Sequence, residues 1–249
     1  MRALKNIVLS ILIQFRIYPN LFFISNPLKI YEFKELTKNI GISKKDKVLD
    51  LGCGAGLQTL ILGKKCKEIT GVEISESAVA SARRKSEKLR NRINSRFLCS
   101  KLEDAKLEDE SFDKVFSICV IEHISNYEEV LKEIHRILKK QGQIVFSVDC
   151  LETITDSDLI EKHKKDHFVV KYFGIEELKT LLENTGFNKV DIYPIFKGPL
   201  ARKLFVEGIK NQFRYGFISS IMSYLALRKD EERCADLDKG IFLVAKCTK

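Results

Sequence analysis

The sequence predicts an α/β fold, namely a doubly wound seven-stranded sheet that is mostly parallel and ends in an antiparallel strand. Three observations lead to this prediction. From residue 47 onward, short apolar runs alternate with amphipathic stretches of helical spacing. The first run, residues 47–51, leads directly into a cluster of glycines. Regular alternation of strand and helix favours parallel strands joined by right-handed crossovers.

The elements follow from the periodicity of apolar residues. Runs of alternating or continuous apolar residues predict strands, and spacings of three and four predict helices. Ser75 is a suitable N-cap for the second helix of the alternating region. The predicted strands cover residues 47–51, 68–74, 93–98, 112–118, 143–148, 190–195 and 241–245, and the predicted helices cover 57–62, 75–89, 127–138 and 175–182.

Composition places the chain among ordinary globular proteins. Its 249 residues are 45% hydrophobic and 31% charged, with a formal net charge of +9. This surplus favours anionic partners without choosing among nucleic acid, phospholipid and phosphorylated substrates. The seven cysteines include no C-x-x-C pair, so neither a disulfide framework nor a zinc site is expected. A reducing, cytoplasmic location is the simplest interpretation.

The N-terminal segment 1–25 is apolar and basic. Arg2 and Lys5 precede an apolar run over residues 7–13, which Gln14 and Arg16 then interrupt. The uncharged stretch is too short to span a bilayer, and no small-x-small cleavage site follows it. We therefore expect a helix that lies on a surface or packs on the core.

The glycine cluster is the strongest chemical signal. In VLDLGCGAG, residues 48–56, the predicted strand enters a turn containing Gly52, Gly54 and Gly56, and a helix follows. Glycines there let a ligand approach the main chain, and the N–H groups that open a helix favour an anionic group. A dinucleotide fold would place a third glycine where Leu57 stands, so NAD and FAD are disfavoured.

The second signal is ITGVEIS, residues 69–75, in which Glu73 ends the second predicted strand. An acid about twenty residues after such a glycine turn can accept hydrogen bonds from both hydroxyls of a ribose. The pair of motifs therefore indicates a nucleoside-containing cofactor.

VLDLGCGAG followed by GVEIS resembles the first two motifs of class I methyltransferases that use S-adenosylmethionine (SAM), which have a Rossmann-like sheet. The resemblance spans roughly residues 26–195 and is nearest to the methyltransferases of ubiquinone and menaquinone biosynthesis. It implies SAM as cofactor and S-adenosylhomocysteine (SAH) as product. The cofactor contacts that it implies are Lys29, Asp50, Gly52, Cys53, Gly54, Gly56, Glu73, Ile74, Leu102, Glu103 and Ile118.

ICVIEHI, residues 118–124, is similar to the fourth motif of the ubiquinone enzymes, where two glutamates and a histidine are proposed to bind metal. Cys119 replaces the first glutamate here, which leaves Glu122 and His123. Because adjacent ligands suit a hard cation poorly, we predict no required metal. His123 is the candidate general base, with a locally hydrogen-bonded histidine as the alternative. His163 and His167 are expected in a charged, mobile loop.

Residues 196–238 form an unusual insertion between the last two predicted strands. Its part from 197 to 229 has seven basic residues and one acid, Glu207, among many large apolar side chains. We expect mostly helical structure over the substrate entrance, with an exposed apolar patch rimmed by Lys203, Lys210, Arg214 and Arg228. The alternatives are peripheral membrane contact, a lid on the substrate, and packing on the core.

We expect residues 1–249 to form a single SAM-dependent methyltransferase domain acting on a small molecule, whether lipid-like, a quinone precursor or glycan-linked. A SAM-binding or membrane-docking protein without transfer activity is the alternative. No specific nucleic acid is expected, because the chain has no N/D-P-P-Y/F motif. The expected location is cytoplasmic, with peripheral contact at the inner membrane face.

Overall fold

The protein is described here by a computed structural model covering residues 2–249, except for the side chains of residues 2–6, 22, 39 and 217. Within this range the chain forms seven strands and nine α-helices. The strands are β1 (Lys47–Leu51), β2 (Glu68–Glu73), β3 (Ser95–Cys99), β4 (Phe112–Ile118), β5 (Leu138–Asp149), β6 (Asn188–Ile195) and β7 (Phe242–Thr248). The helices are α1 (Arg2–Gln14), α2 (Pro27–Ile40), α3 (Leu57–Gly63), α4 (Glu76–Glu87), α5 (Tyr127–Ile137), α6 (Ser157–Asp166), α7 (Ile175–Asn184), α8 (Pro199–Asn211) and α9 (Phe217–Arg233). Two 3₁₀ turns cover Leu21–Phe23 and Ile121–His123.

The strands form one sheet in the order β3-β2-β1-β4-β5-β7-β6. Strands β1 to β5 pair in parallel, whereas β7 is antiparallel to both β5 and β6. This confirms the predicted fold class. The order reverses between β1 and β4, and ligands of open α/β sheets bind at the carboxyl ends of the strands beside such a point.

Alternating side chains of the central strands supply the two faces of the core. Val48 and Phe116 pack in a cluster with residues of α2, α3, α8 and α9. Leu49 and Val115, their immediate neighbours in sequence, pack in a second cluster with residues of α5 and α7. This two-sided burial is why the strands read as continuous apolar runs.

Capping residues fix the helices that border the site. The side chain of Ser75 accepts a hydrogen bond from the Ala78 N–H, as predicted. Asn26 accepts from the Leu28 and Lys29 N–H groups, and Pro27 opens α2, where its missing N–H costs nothing. α2 therefore begins at a fixed point beside the carboxyl ends of the strands.

Several strand boundaries in the structure differ from those predicted from the sequence. β3 begins at Ser95 rather than residue 93, and β5 begins at Leu138, five residues before its predicted start. The pairing of β5 with β4 is irregular between Phe112 and Lys114, and this irregularity lets β5 start directly after α5.

The N-terminal segment is both surface-lying and core-packing. Leu9, Leu12 and Ile13 of α1 pack on a third cluster with residues of α3 and α4, whereas Ile7 and Ile11 are exposed. Among residues 2–249, the structure has no helix long and apolar enough to cross a membrane.

The insertion is mostly helical, as predicted, because α8 and α9 occupy most of it. Leu204, Phe205 and Leu227 are buried in the first cluster, so much of its apolar surface belongs to the core. Ile218 and Met222 of α9 stay exposed. The insertion therefore combines core packing with an exposed apolar strip.

Candidate active site

The glycine turn lies between β1 and α3, at the point where the strand order reverses. Gly52 and Gly56 have positive φ angles of 71° and 80°. A Cβ atom at Gly52 would stand 2.2 Å from Val120 Cγ2, and one at Gly56 would stand 2.7 Å from Ala82 Cβ. Both positions therefore need glycine for conformation and for space.

Glu73 ties this turn to the end of β2. Its carboxylate accepts hydrogen bonds from the Gly54 N–H at 3.0 Å and the Ser75 N–H at 2.9 Å. These two contacts hold the side chain at the carboxyl edge of the sheet. Oxygen lone pairs that the backbone does not use are available to a ligand.

A first cavity of about 450 Å³ opens at this edge, between β1, β2 and β4. Six of the predicted cofactor residues line it, namely Gly52, Glu73, Ile74, Leu102, Glu103 and Ile118. Gly54, Gly56, Cys53 and Asp50 belong to the same strand end and turn but are not among the residues that line this cavity. The predicted catalytic residue His123 also lines it.

Asp50 lies beneath the first cavity and is buried. The hydroxyl of Thr59 donates a hydrogen bond to its carboxylate at 2.5 Å. Burial outweighs this hydrogen bond and raises the pKa of Asp50 to about 7. Thr59 was not predicted, because a threonine inside an apolar helix gives no signal without the fold.

Asn126 is another lining residue that the sequence analysis missed. Its side-chain amide donates to Glu103 Oε1 at 2.6 Å and so orients that carboxylate. Its place immediately before the amphipathic helix α5 was the available signal, since asparagine is common at N-caps.

A second cavity of about 270 Å³ adjoins the first. Cys119 and His123 line both. The remaining walls are Asn26, Leu28, Lys29, Asp149, His163, His167, Phe205, Phe213 and Phe242. Lys29 was predicted to contact the cofactor, but it lies on this second cavity. The two cavities meet at the predicted base.

Cys119 adopts a left-handed backbone conformation, with φ of 46°. Such a conformation costs free energy in a residue with a Cβ, and it persists only where the surroundings impose it. The Cys119 N–H donates to the carbonyl oxygen of Ser147 at 3.1 Å, which fixes the bend. The bend turns the chain from β4 into the junction of the cavities.

A buried polar cluster lies beneath the second cavity. Glu32 is fully buried on α2, and its carboxylate accepts from the Ser147 hydroxyl at 2.5 Å and from the Cys119 thiol at 3.0 Å. Lys29 Nζ lies 3.0 Å from Glu32 Oε2. Burial lowers the pKa of Lys29, but the charges of Cys119, Glu32 and Asp149 outweigh it and leave that pKa raised.

Two more carboxyl groups border this cluster. Burial raises the pKa of Asp149, the charge of Lys29 lowers it, and the charge of Glu32 raises it again. The net effect raises this pKa to about 7. Burial and then the charge of Asp149 raise the pKa of Glu122 well above its usual value. Neither oxygen of Glu122 has a hydrogen-bond partner among the described residues. A protonated Glu122 is therefore the favoured form.

The side chains of this cluster also decide whether the site could hold a metal ion. Ligand atoms of Cys119, Glu122 and Asp149 lie within 4.8 Å of one another, a grouping that the sequence analysis did not anticipate. The ammonium of Lys29 interacts with Cys119 and Asp149 and already supplies a positive charge there. A divalent cation would be repelled by this ammonium, so the residues present do not fit a resident metal.

The histidines are placed differently from the expectation. Residues 157–166 form helix α6, so the predicted mobile loop is wrong: Asp156 accepts from the Leu159 N–H and caps a regular helix. His163 is buried against Tyr172, whose hydroxyl lies 3.0 Å from its Nδ1. Burial, followed by the charge of His167, lowers the pKa of His163 to about 4.

His123 ends a 3₁₀ turn just beyond β4. Burial is the largest cause that lowers its pKa, and the charge of Lys29 adds to it. Its Nδ1 has no hydrogen-bond partner within the described part of the chain. The imidazole is therefore neutral near pH 7 and able to accept a proton.

Comparisons with known proteins agree with this geometry. Residues 49–146 match the family described as a methyltransferase domain. The chain is 27% identical over 183 residues to a ubiquinone biosynthesis O-methyltransferase of Coxiella burnetii, covering 70% of this chain and 76% of the relative. It is also 27% identical over 199 residues to a demethylmenaquinone methyltransferase of Staphylococcus aureus, covering 69% and 80%.

Among solved structures, the fold is similar to that of a phosphoethanolamine N-methyltransferase 2 from Haemonchus contortus. The TM-score is 0.66 at 18% identity, covering 87% of this chain and 52% of that one. The fold and the site thus define a methyltransferase of the Rossmann-like type. Residues 49–146 thus carry a methyltransferase domain, and the chain is a SAM-dependent methyltransferase that acts on a small molecule. The alternative of a protein without transfer activity receives no support.

Proposed function

We propose that the acceptor is a hydroxyl-bearing, largely apolar ring compound such as a quinone precursor, and that it binds in the second cavity. The observation that carries this proposal is that His123 lines both cavities, and so stands between cofactor and acceptor. Phe205, Phe213 and Phe242 offer an apolar wall, with the first two rings 5.7 Å apart. The names of the quinone-pathway relatives support the same acceptor class.

In this proposal the reaction is an in-line displacement. The His123 imidazole takes the proton of the acceptor hydroxyl, the oxygen bonds to the methyl carbon, and the carbon–sulfur bond breaks to leave neutral SAH. Because the sulfonium is already activated, alignment of donor and acceptor supplies most of the effect, on the order of 7–11 kcal/mol.

Radiolabelled methyl transfer tests the proposal. The protein is incubated with methyl-labelled SAM and either a prenylated catechol or the same compound with both hydroxyls methylated. We expect label in the catechol alone, and none with His123→Asn. Label in an amine or a phosphorylated headgroup, with none in the catechol, would refute the acceptor class.

For the cofactor, we propose that the six predicted residues lining the first cavity contact SAM and that Glu73 accepts from the ribose hydroxyls. Loss of a charged hydrogen bond costs about 1.5–3 kcal/mol, so Glu73→Ala should weaken SAH binding roughly tenfold or more in calorimetry. Glu76→Ala, an exposed neighbour on α4, is the matched control. Equal affinities of the two variants would place the ribose elsewhere.

We further propose a cytoplasmic protein whose insertion contacts the membrane peripherally. Ile218, Met222 and Leu225 form an exposed apolar strip on α9, and Lys203, Lys210, Arg214 and Arg228 of the same insertion are also exposed. Changing Lys203, Lys210, Arg214 and Arg228 to Gln should reduce sedimentation with anionic vesicles. Unchanged sedimentation would leave the insertion as a wall of the acceptor cavity alone.

A further inference from the structure

The N-terminal helix α1 presents an apolar face that the core does not use. Ile7, Val8 and Ile11 are 57%, 47% and 47% exposed, and Phe15, just past the helix end, is 69% exposed. At 100° per residue, these four positions fall within about 100° of arc. A surface helix normally turns polar residues outward, so this face is unusual in a globular protein.

A basic pocket of about 420 Å³ lies where α1 ends. It is lined by Arg16, Tyr18, Pro19, Lys64, Leu89, Arg92 and Ile93, and therefore by three cations and no acid. None of the three cations forms an ion pair with any residue in the described range 2–249. Arg16 adopts a left-handed conformation, with φ of 61°, and lies between the exposed side chains of Phe15 and Ile17.

The cations of this pocket have more N–H donors than their hydrogen bonds to the local backbone use. Arg92 uses one guanidinium nitrogen on the carbonyl oxygen of Ile13 at 2.5 Å, and Lys64 uses its ammonium on that of Pro19 at 3.2 Å. A guanidinium has five N–H donors and an ammonium three, so most remain available. The Tyr18 hydroxyl is buried at the pocket and has no partner within the described residues.

The surroundings have the charge that an anion requires. The first 31 residues contain Arg2, Lys5, Arg16 and Lys29, and no acid. Leu89, Arg92 and Ile93 follow α4, and Lys64 follows α3, so the pocket lies near the amino ends of β2 and β3. It is thus at the opposite end of the sheet from both active-site cavities.

We propose that α1 and this basic pocket form a docking site for an anionic phospholipid surface. The apolar face of α1 enters the acyl boundary of the bilayer, and Arg16, Lys64, Arg92 and the Tyr18 hydroxyl bind a headgroup phosphate. A dissolved phosphate compound would bind in the pocket but leave the apolar face of α1 exposed. A protein partner would cover that face but would not fill the basic pocket. The site is independent of the insertion and of the proposed acceptor.

The test is cosedimentation of the whole protein with vesicles of phosphatidylcholine, alone or mixed with phosphatidylglycerol. We expect binding to the mixed vesicles that falls with added salt. Arg16→Gln should weaken it about fivefold, because one basic residue near such a surface is worth about that factor. Ile11→Ser with Phe15→Ser should weaken it by roughly tenfold or more. Both changes are at exposed positions, so folding is preserved.

Lys132→Gln and Lys179→Gln together form the control, because these exposed lysines lie on α5 and α7, which pack on the other face of the sheet from α1. They should bind as the wild type does, and every variant should retain SAH binding. Tyr18→Phe should weaken vesicle binding without lowering the melting temperature, since it removes an unpartnered buried hydroxyl.

Two results would overturn the proposal. One is equal binding of the wild type, the α1 variants and Arg16→Gln to mixed vesicles, which would assign any membrane contact to the insertion. The other is saturable binding of dissolved sn-glycerol 3-phosphate with no preference for anionic vesicles, which would make the pocket a site for a small anion.

Discussion

At the scale of single residues, His123 connects donor and acceptor. A base works best when it is unprotonated at the working pH and within reach of the proton. Burial lowers the pKa of His123 and so meets the first condition, while its place at the junction of the two cavities meets the second.

The pH profile of the reaction should report this histidine. Because its pKa is lowered, we expect the acid limb of kcat/KM for the acceptor to lie below pH 6.5 and to disappear in His123→Asn. That variant should lose about 10²–10⁴-fold in kcat while retaining its KM for SAM. His135→Asn, on α5 and packed against Phe187, is the control and should keep the wild-type profile. A His123→Asn enzyme with wild-type kcat would reduce the residue to a structural role.

Lys29 is the second residue whose role depends on its surroundings. It supplies the positive charge among Glu32, Cys119 and Asp149. A protein that has this internal cation does not need a divalent ion to balance the cluster.

We therefore predict that dialysis against a chelator leaves methyl transfer unchanged and that elemental analysis finds no stoichiometric metal. Lys29→Gln should lower stability by about 1.5–3 kcal/mol, since Glu32 would lose its charged partner. Lys38→Gln, exposed on the same helix, should have little effect. Activity that is lost with the chelator and restored by zinc or magnesium would contradict this prediction.

At the scale of secondary-structure elements, the sequence predicted most strands because their burial is continuous or alternating. It failed for α6, where SDLIEKHKKD has too few apolar residues to display a helical stripe. Only the fold shows that His163 turns inward against Phe205, at 5.2 Å between ring centroids. Charge-rich helices with one buried position cannot be distinguished from loops by periodicity alone.

Two neighbouring acids of α9, Asp230 and Glu231, hold the start of α8. The Glu231 carboxylate accepts from the Phe196 N–H at 2.8 Å and from the Gly198 N–H at 3.0 Å, and Gly198 is the N-cap residue of α8. Because Gly198 offers no side chain, Asp230 of α9 caps α8 by accepting from the Leu200 N–H at 2.9 Å, and Glu231 holds the chain just before the helix.

Glu231→Ala would leave two buried N–H groups without acceptors, at roughly 1–3 kcal/mol each. We expect a melting temperature lower by about 10 °C and a raised KM for the acceptor, since α8 supplies Phe205 to the cavity wall. Glu232→Ala removes only an exposed pair with Arg228 and serves as the control. Similar melting temperatures for the two variants would show that the position of α8 does not depend on Glu231.

At the scale of the whole molecule, more of the lining of the first cavity than of the second could be predicted from the sequence. The first is built from strand ends and turns that follow one another along the chain, so the resemblance of these motifs to the methyltransferase family implied six of its lining residues. The second joins Lys29, His163, Phe213 and Phe242, which only the tertiary fold brings together. For its aromatic residues in the insertion, the sequence left core packing, a lid on the substrate and membrane contact open, because no local pattern marks a wall shared by four distant segments.

Cofactor binding should stabilise the whole domain. SAH at about 100 times its Kd contributes about 2.7 kcal/mol, which for a chain of this size corresponds to a rise of roughly 5–10 °C in melting temperature. Glu73→Ala at the same SAH concentration should show a smaller rise. Identical rises in thermal scanning would contradict the assignment of Glu73 to the ribose.

The distribution of thiols has a practical consequence. Of the seven cysteines, Cys99 is exposed, four are buried, and Cys119 and Cys234 are intermediate. Burial also raises the pKa of Cys119, which makes it a poor nucleophile. The Cys99 thiol lies 3.7 Å from the carbonyl oxygen of Ile74, and Ser100 follows it, so both of its neighbours line the first cavity. A maleimide dye would therefore attach preferentially at that rim, and its emission would give an optical readout of cofactor occupancy in the natural sequence, without cysteine engineering.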